Sequence, residues 1–179
     1  MSVTKVSSAM QDLTDDYAFS GTVSGAGGVT LLQVVTTQLT TSTSGTSQHA
    51  WTDTDITLAI TPTASDSTIL LTAMFVLFWS NTTGDSGMSV RFKQAIAGGA
   101  TSYPEGLSSG TNGNYHTLFY HTPAIAGNNL DNCFFQGSSS PSTTSAITYT
   151  MQYGSYNIEA GGVGGASDKP RLTLMEIGA

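Results

Sequence analysis

The residues Thr54-Asp55-Ile56-Thr57-Leu58-Ala59-Ile60-Thr61-Pro62-Thr63-Ala64-Ser65-Asp66-Ser67-Thr68-Ile69-Leu70-Leu71-Thr72-Ala73-Met74-Phe75-Val76-Leu77-Phe78-Trp79 decide the fold class. Over Thr54–Thr61 the side chains alternate: Ile56, Leu58 and Ile60 fall on one face, Thr57 and Ala59 on the other. A period of two belongs to a half-buried strand, because successive side chains in a pleated chain point to opposite sides. Pro62 and the Ser-rich run to Ser67 then supply turn chemistry. Thr68–Trp79 resumes as an almost continuous apolar run. A strand apolar on both sides must be covered on both, by a second sheet and a loop or by another subunit.

The same signals recur outward from this segment. Leu31–Thr40 precedes it as a strand, followed by the polar loop Thr41–Gln48. After it, Gly84-Asp85-Ser86-Gly87 turns the chain into Met88–Ile96, where Met88, Val90 and Phe92 alternate with Ser89, Arg91 and Lys93. A loop rich in Gly, Ser and Asn runs from Ala97 to Asn114, and Tyr115–Thr122, Asn132–Gln136 and Ala146–Tyr156 follow as strands. In the last of these Ile147, Tyr149, Met151 and Tyr153 share one face. After a loop over Glu159–Pro170, Arg171–Ile177 closes the chain, with Leu172, Leu174 and Glu176 opposing Thr173, Met175 and Ile177. Eight short strands in one unit predict an all-β fold, an antiparallel β-sandwich of the eight-stranded jelly-roll type, over residues 29–179. Residues 1–28 are poor in apolar side chains and end in a glycine-rich stretch, Gly21 to Gly28. Ser8–Phe19 fits one short helix about as well as an extended arm, and the zone as a whole is taken as an N-terminal arm.

Composition agrees. Only 9% of the 179 residues are charged, whereas 51 are Ser or Thr. A helical bundle needs Glu, Lys, Arg and Gln on its outer faces, and Lys and Arg here total 5. A disordered chain needs few apolar residues and high net charge, against 39% hydrophobic residues and a net charge of −7. An acidic chain with no basic cluster lacks the cations that neutralise phosphates, so a nucleic-acid partner is not expected. The single cysteine, Cys133, excludes an intrachain disulfide and a multi-Cys zinc site. The start, Met1-Ser2-Val3-Thr4-Lys5, has no apolar run of a signal peptide. The longest apolar stretch, Ala73–Trp79, is far short of a bilayer span, so no membrane insertion is expected.

Chemistry-bearing patterns are sparse. No nucleophile elbow, P-loop, dinucleotide fingerprint or HExxH helix occurs. His116 and His121 are an odd number of residues apart, hence on opposite faces of a regular strand. Asp53, Asp55 and Asp66 offer oxygens to a calcium ion, but such a site needs about six to eight of them. Glu105, Asp131 and Glu159 lie in or near loops, where paired carboxylates would serve glycoside cleavage. Asn81-Thr82-Thr83 has the form of a glycosylation sequon but marks a turn in this context. No catalytic residue, metal site or cofactor is assigned, and the chain is not expected to be an enzyme. A binding role has more to stand on. The loop Ala97–Asn114 carries Tyr103, Glu105 and Asn112, and Tyr115 follows it, a mix of aromatic, amide and hydroxyl groups suited to polar ligands such as sugars.

Three parts of the chain resemble bacteriophage fibre and virion-appendage proteins. Ile56–Leu71, a strand ending in Thr-Pro, a Ser-rich turn and a hydrophobic strand, is similar to a recurrent segment of that family. Arg171–Ile177 resembles its closing strand, and Val3–Ser7 with Tyr17–Val23 its N-terminal attachment segment. Asp66-Ser67-Thr68 departs from the pattern, which often places a Lys after the turn. The resemblance implies a homotrimer with a β-sandwich head, held to other virion proteins (baseplate, tail or capsid) by its N-terminal arm, through Val3, Val6, Tyr17 and Phe19. Receptor choice then falls to the loop, through Tyr103, Glu105, Asn112 and Tyr115, with a host-surface glycan as partner. The doubly apolar strand offers Phe75, Phe78 and Trp79 to the three-fold contact. The expected function is that of a virion structural protein, a tail fibre whose head binds the host surface. A capsid decoration protein is the alternative, and a free carbohydrate-binding or glycan-cleaving module ranks below both.

Overall fold

The computed structural model describes residues 30–38, 43–45, 50–81, 87–104, 119–121, 127–156, 160–164 and 169–178. Residues 1–28, read from the sequence as an N-terminal arm, lie outside them. Eleven strands and no helix occur among the described residues: β1 (Thr30–Gln38), β2 (Thr43–Gly45), β3 (Trp51–Ile60), β4 (Thr68–Asn81), β5 (Gly87–Ile96), β6 (Thr101–Ser102), β7 (Phe119–His121), β8 (Gly127–Ser139), β9 (Ile147–Tyr156), β10 (Ala160–Val163) and β11 (Arg171–Gly178).

Every pairing is antiparallel, and the strands divide into two sheets. One runs β1-β11-β4-β10-β2, with β8 on the free side of β4; the other runs β3-β9-β5-β6, with β7 also on β5. Without the short strands β2, β6 and β10, the orders are β1-β11-β4-β8 and β3-β9-β5-β7. The chain crosses between sheets at each step except β5 to β7, and its first and last strands are neighbours. That is the jelly-roll order. The predicted strands correspond to the eight principal ones.

Two kinds of detail depart from the sequence reading. The segments taken wholly as loops hold β2, β6 and β10, whose Gly, Ser and Thr residues carry no apolar alternation to reveal them. β8 covers 13 residues, well beyond Asn132–Gln136, because Gly127-Asn128-Asn129 and Gly137-Ser138-Ser139 look like turns in isolation. The long partner β4 supplies the ladder that extends them, from Asn81↔Gly127 to Ile69↔Ser139.

The core lies between the sheets. From β4 it takes Ile69, Leu71, Ala73, Phe75, Leu77 and Trp79; from β9, Ile147, Tyr149, Met151 and Tyr153; from β5, Met88, Val90 and Phe92. Phe92 stacks on Phe135 across the sandwich, ring centroids 5.3 Å apart. The alternation read from β3, β5, β9 and β11 therefore assigns their inward faces correctly.

Glu176 is the exception within that pattern. It points inward with Leu172 and Leu174 and is 0% exposed. Its Oε1 accepts from Thr63 N (2.7 Å), Thr63 Oγ1 (2.9 Å), Ala64 N (3.3 Å) and Ser67 Oγ (2.7 Å). Gln33 Nε2 donates to Oε2 at 2.6 Å and to the Thr61 carbonyl at 2.7 Å. The turn after Pro62 thus folds around a carboxylate on the last strand. Burial by itself raises the Glu176 pKa; the donors Gln33, Ser67 and Thr63 outweigh it and bring the carboxyl down to about 2.

Candidate functional site

The two outer faces of the sandwich differ sharply. On the five-stranded sheet, outward positions are Trp51, Asp53, Thr57 and Ala59 on β3, Thr148, Thr150, Gln152 and Gly154 on β9, and Arg91, Lys93 and Ala95 on β5. This is a surface of hydroxyls with one polar cluster.

The register builds that cluster. Asp53 lies opposite Gln152, and Gln152 opposite Arg91, so an acid, an amide and a guanidinium stand in one row. Arg91 Nε donates to Gln152 Oε1 at 2.7 Å, and Gln152 Nε2 donates to Asp53 Oδ1 at 2.6 Å. Lys93 Nζ forms an ion pair with Asp53 Oδ2. Trp51 sits opposite Gly154, and a Cβ there would stand 3.4 Å from its ring, at ordinary contact distance, so the indole packs on the sheet surface. The Arg91 guanidinium is 4.1 Å from the Trp51 ring centroid and 4.0 Å from that of Tyr103. It lies over two aromatic rings, an arrangement a delocalised planar cation favours.

Electrostatics follows from these contacts. Burial raises the Asp53 pKa, but the hydrogen bonds of Lys93 and Gln152 and the charges of Lys93 and Arg91 turn the net shift downward. Burial under the rings lowers the Arg91 pKa, opposed by Tyr103 and Asp53, and a guanidinium keeps its proton throughout. The row therefore holds a fixed cation beside a half-exposed aromatic ring, Tyr103 being 46% exposed. Such a pair donates charge-assisted hydrogen bonds and stacks on the apolar face of a ring.

Among the receptor-loop candidates, Tyr103 joins this cluster; Glu105, Asn112 and Tyr115 lie outside the described residues. So do the anchoring candidates Val3, Val6, Tyr17 and Phe19. Trp51, Arg91 and Gln152 escaped nomination by sequence reasoning. Alternation had placed Arg91 and Lys93 off the core side of their strand, but only the register of β9 brings them to Trp51 and Asp53. Asp53, weighed as a calcium ligand with Asp55 and Asp66, has both carboxylate oxygens engaged by Lys93 and Gln152. Among the described residues no group of three or more His, Cys, Asp or Glu side chains gathers as a metal site. Glu105 and Glu159 lie outside the described residues, and Asp131 stands on the core side of β8, opposite Leu77.

The outer face of the six-stranded sheet is apolar. Leu31, Leu32, Val34, Met74, Leu130 and Phe134 are between 41% and 62% exposed, and all stand on or beside it. Phe78 is half-buried on the same face, whereas Phe75 (5% exposed) and Trp79 (2%) belong to the chain's own core. Of the three residues read as subunit contacts, alternation along β4 leaves Phe78 outward.

Set against models of known protein families and against curated protein sequences, the chain matches none.

Proposed function

We propose that this protein is a structural component of a bacteriophage particle, the head of a homotrimeric tail fibre that engages a glycan on the host surface. Residues 1–28 hold it to other virion proteins. The observation that carries the binding part is the Trp51–Arg91–Tyr103 stack on an outward sheet face. Around it the surface is hydroxyl and amide, wet and adaptable, suited to a polar ligand. The resemblance of Ile56–Leu71 and Arg171–Ile177 to fibre proteins supplies the virion context.

The experiment is adsorption competition. Purified protein is expected to slow attachment of the parent phage to host cells, and Arg91→Ala to lose that effect while remaining folded. If wild-type protein leaves adsorption untouched at saturating concentration, the fibre reading fails. A second reading is favoured by the apolar face of the six-stranded sheet, which suits a capsid decoration protein just as well. In that case the protein slows heat-induced capsid rupture without competing for cells.

A further inference from the structure

We propose that the outer face of the five-stranded sheet recognises an acidic glycan, a sugar whose oxyanion docks on Arg91 while its apolar ring face lies against Tyr103. This deepens the host-glycan reading above and rests on it; what is added is the charge of the sugar.

The sign of the ligand follows from which groups of the cluster are still open. A sugar hydroxyl both donates and accepts, so a site for a neutral sugar needs open groups of both kinds, whereas an ionised carboxylate or phosphate oxygen only accepts. The acceptors of the cluster are engaged within it. Asp53 Oδ1 accepts from Gln152 and Oδ2 from Lys93, and Gln152 Oε1 accepts from Arg91. Gln152 is also only 6% exposed, so its amide is sealed under its neighbours. Further along the face, the Thr57 and Thr150 hydroxyls lie 3.3 Å apart and bond to each other. Donors are what remain. A guanidinium carries several N–H groups, and among the described residues the hydrogen bonds of Arg91 spend only Nε, on Gln152.

Charge favours the same ligand. The chain holds 5 basic residues against 12 acidic ones, yet Arg91 and Lys93 stand two apart on β5 and share its outward face. Lys93 is paired with Asp53. Arg91 therefore has no carboxylate in contact among the described residues, and the Asp53 charge reaches it from across β9. An anion supplies the missing counter-charge at a half-buried position, where an ion pair is stronger than in open water. The rings supply the sugar part. Trp51 on β3, Arg91 on β5 and Tyr103 just after β6 converge on one open face, with Tyr103 46% exposed. An exposed phenol ring offers an apolar face to the C–H side of a pyranose and a hydroxyl to its edge.

The test is calorimetric titration of the full chain with three probes: oligogalacturonate, its methyl ester, in which the same sugars carry no charge, and a phosphorylated mannan oligosaccharide. At least one anionic probe is expected to bind, about 10-fold or more tighter than the ester, and the one that binds identifies the source of the oxyanion. Arg91→Ala is expected to weaken that binding about 10-fold or more, the effect of losing charge-assisted hydrogen bonds. Tyr103→Ala, at an exposed position, is expected to weaken it about 3-fold or more through the lost ring face. Circular dichroism checks folding, and Arg91→Lys, which keeps the charge but not the planar fork, is the substitute if the alanine variant misfolds. An ester that binds as tightly as the acid overturns the proposal and leaves a fibre for neutral glycans standing. So does the absence of binding by either anion at millimolar concentration, or binding that the Arg91 and Tyr103 variants leave unchanged. Polyacrylate binding as tightly as oligogalacturonate shows attraction to bare charge and overturns the sugar's part. Acidic-glycan binding by a protein that leaves phage adsorption untouched refutes the fibre and supports the site.

Discussion

Glu176 shows how one side chain couples two ends of the fold. Its pKa of about 2 lies below the ordinary value of 4.5, so the folded protein favours the carboxylate. The resulting stability is fully present above the ordinary value and disappears as the pH falls toward 2. Urea unfolding midpoints are therefore expected to fall between pH 5 and about 2, and Glu176→Gln to flatten that slope. At neutral pH the same variant should lose about 1–3 kcal/mol, because buried donors lose a charged acceptor. Arg91 makes a different kind of contribution. Arg91→Ala removes two cation–ring contacts and is expected to cost about 1–2 kcal/mol, with Lys a poor substitute because it lacks the planar stack. Cys133 is 5% exposed. Burial, aided by the Asp131 charge, pushes its thiol up to about 11. Thiol reagents at neutral pH should label it only when the chain unfolds.

Individual elements owe their shape to neighbours as much as to composition. The clearest case is Gly162 on β10, where a Cβ would come within 2.1 Å of the Thr43 carbonyl oxygen. A side chain there forces β2 away. Gly162→Ala is expected to cost about 1–3 kcal/mol, the range for overpacking, and to speed amide exchange at Thr43–Gly45. β8 teaches the converse lesson: its Gly, Asn and Ser ends are poor strand formers, yet a 13-residue ladder on β4 holds them extended.

For the whole molecule, the decisive fact is that β1 pairs with β11, joining the two ends of the described chain. The sandwich closes only when the last strand is in place, a topology of long-range contacts that folds slowly. The Phe92–Phe135 stack then ties the sheets together. Phe92→Ala is expected to lower global stability by about 3–5 kcal/mol with an unchanged denaturant slope, as measured by equilibrium unfolding. The two outer faces divide the labour. One presents hydroxyls and a stacked cation; the other presents exposed aliphatic and aromatic side chains.

The sequence by itself determined the class of fold, the principal strands and which side of β3, β5, β9 and β11 faces inward. Alternation is a local property of the chain, and Ile56–Ile60 or Ile147–Tyr153 state it without help from elsewhere. It also placed Tyr103 among the binding candidates, from its loop composition. Only the tertiary structure decided the rest, because strand order and register are relations between distant segments. Register puts Asp53, Gln152 and Arg91 in one row and lays Trp51 over Gly154. It turns Glu176 into the acceptor for a turn more than a hundred residues earlier. It also sorts Phe78 to the outside while Phe75 and Trp79 fill the core, a distinction that β4, apolar along its whole length, does not carry in its own composition.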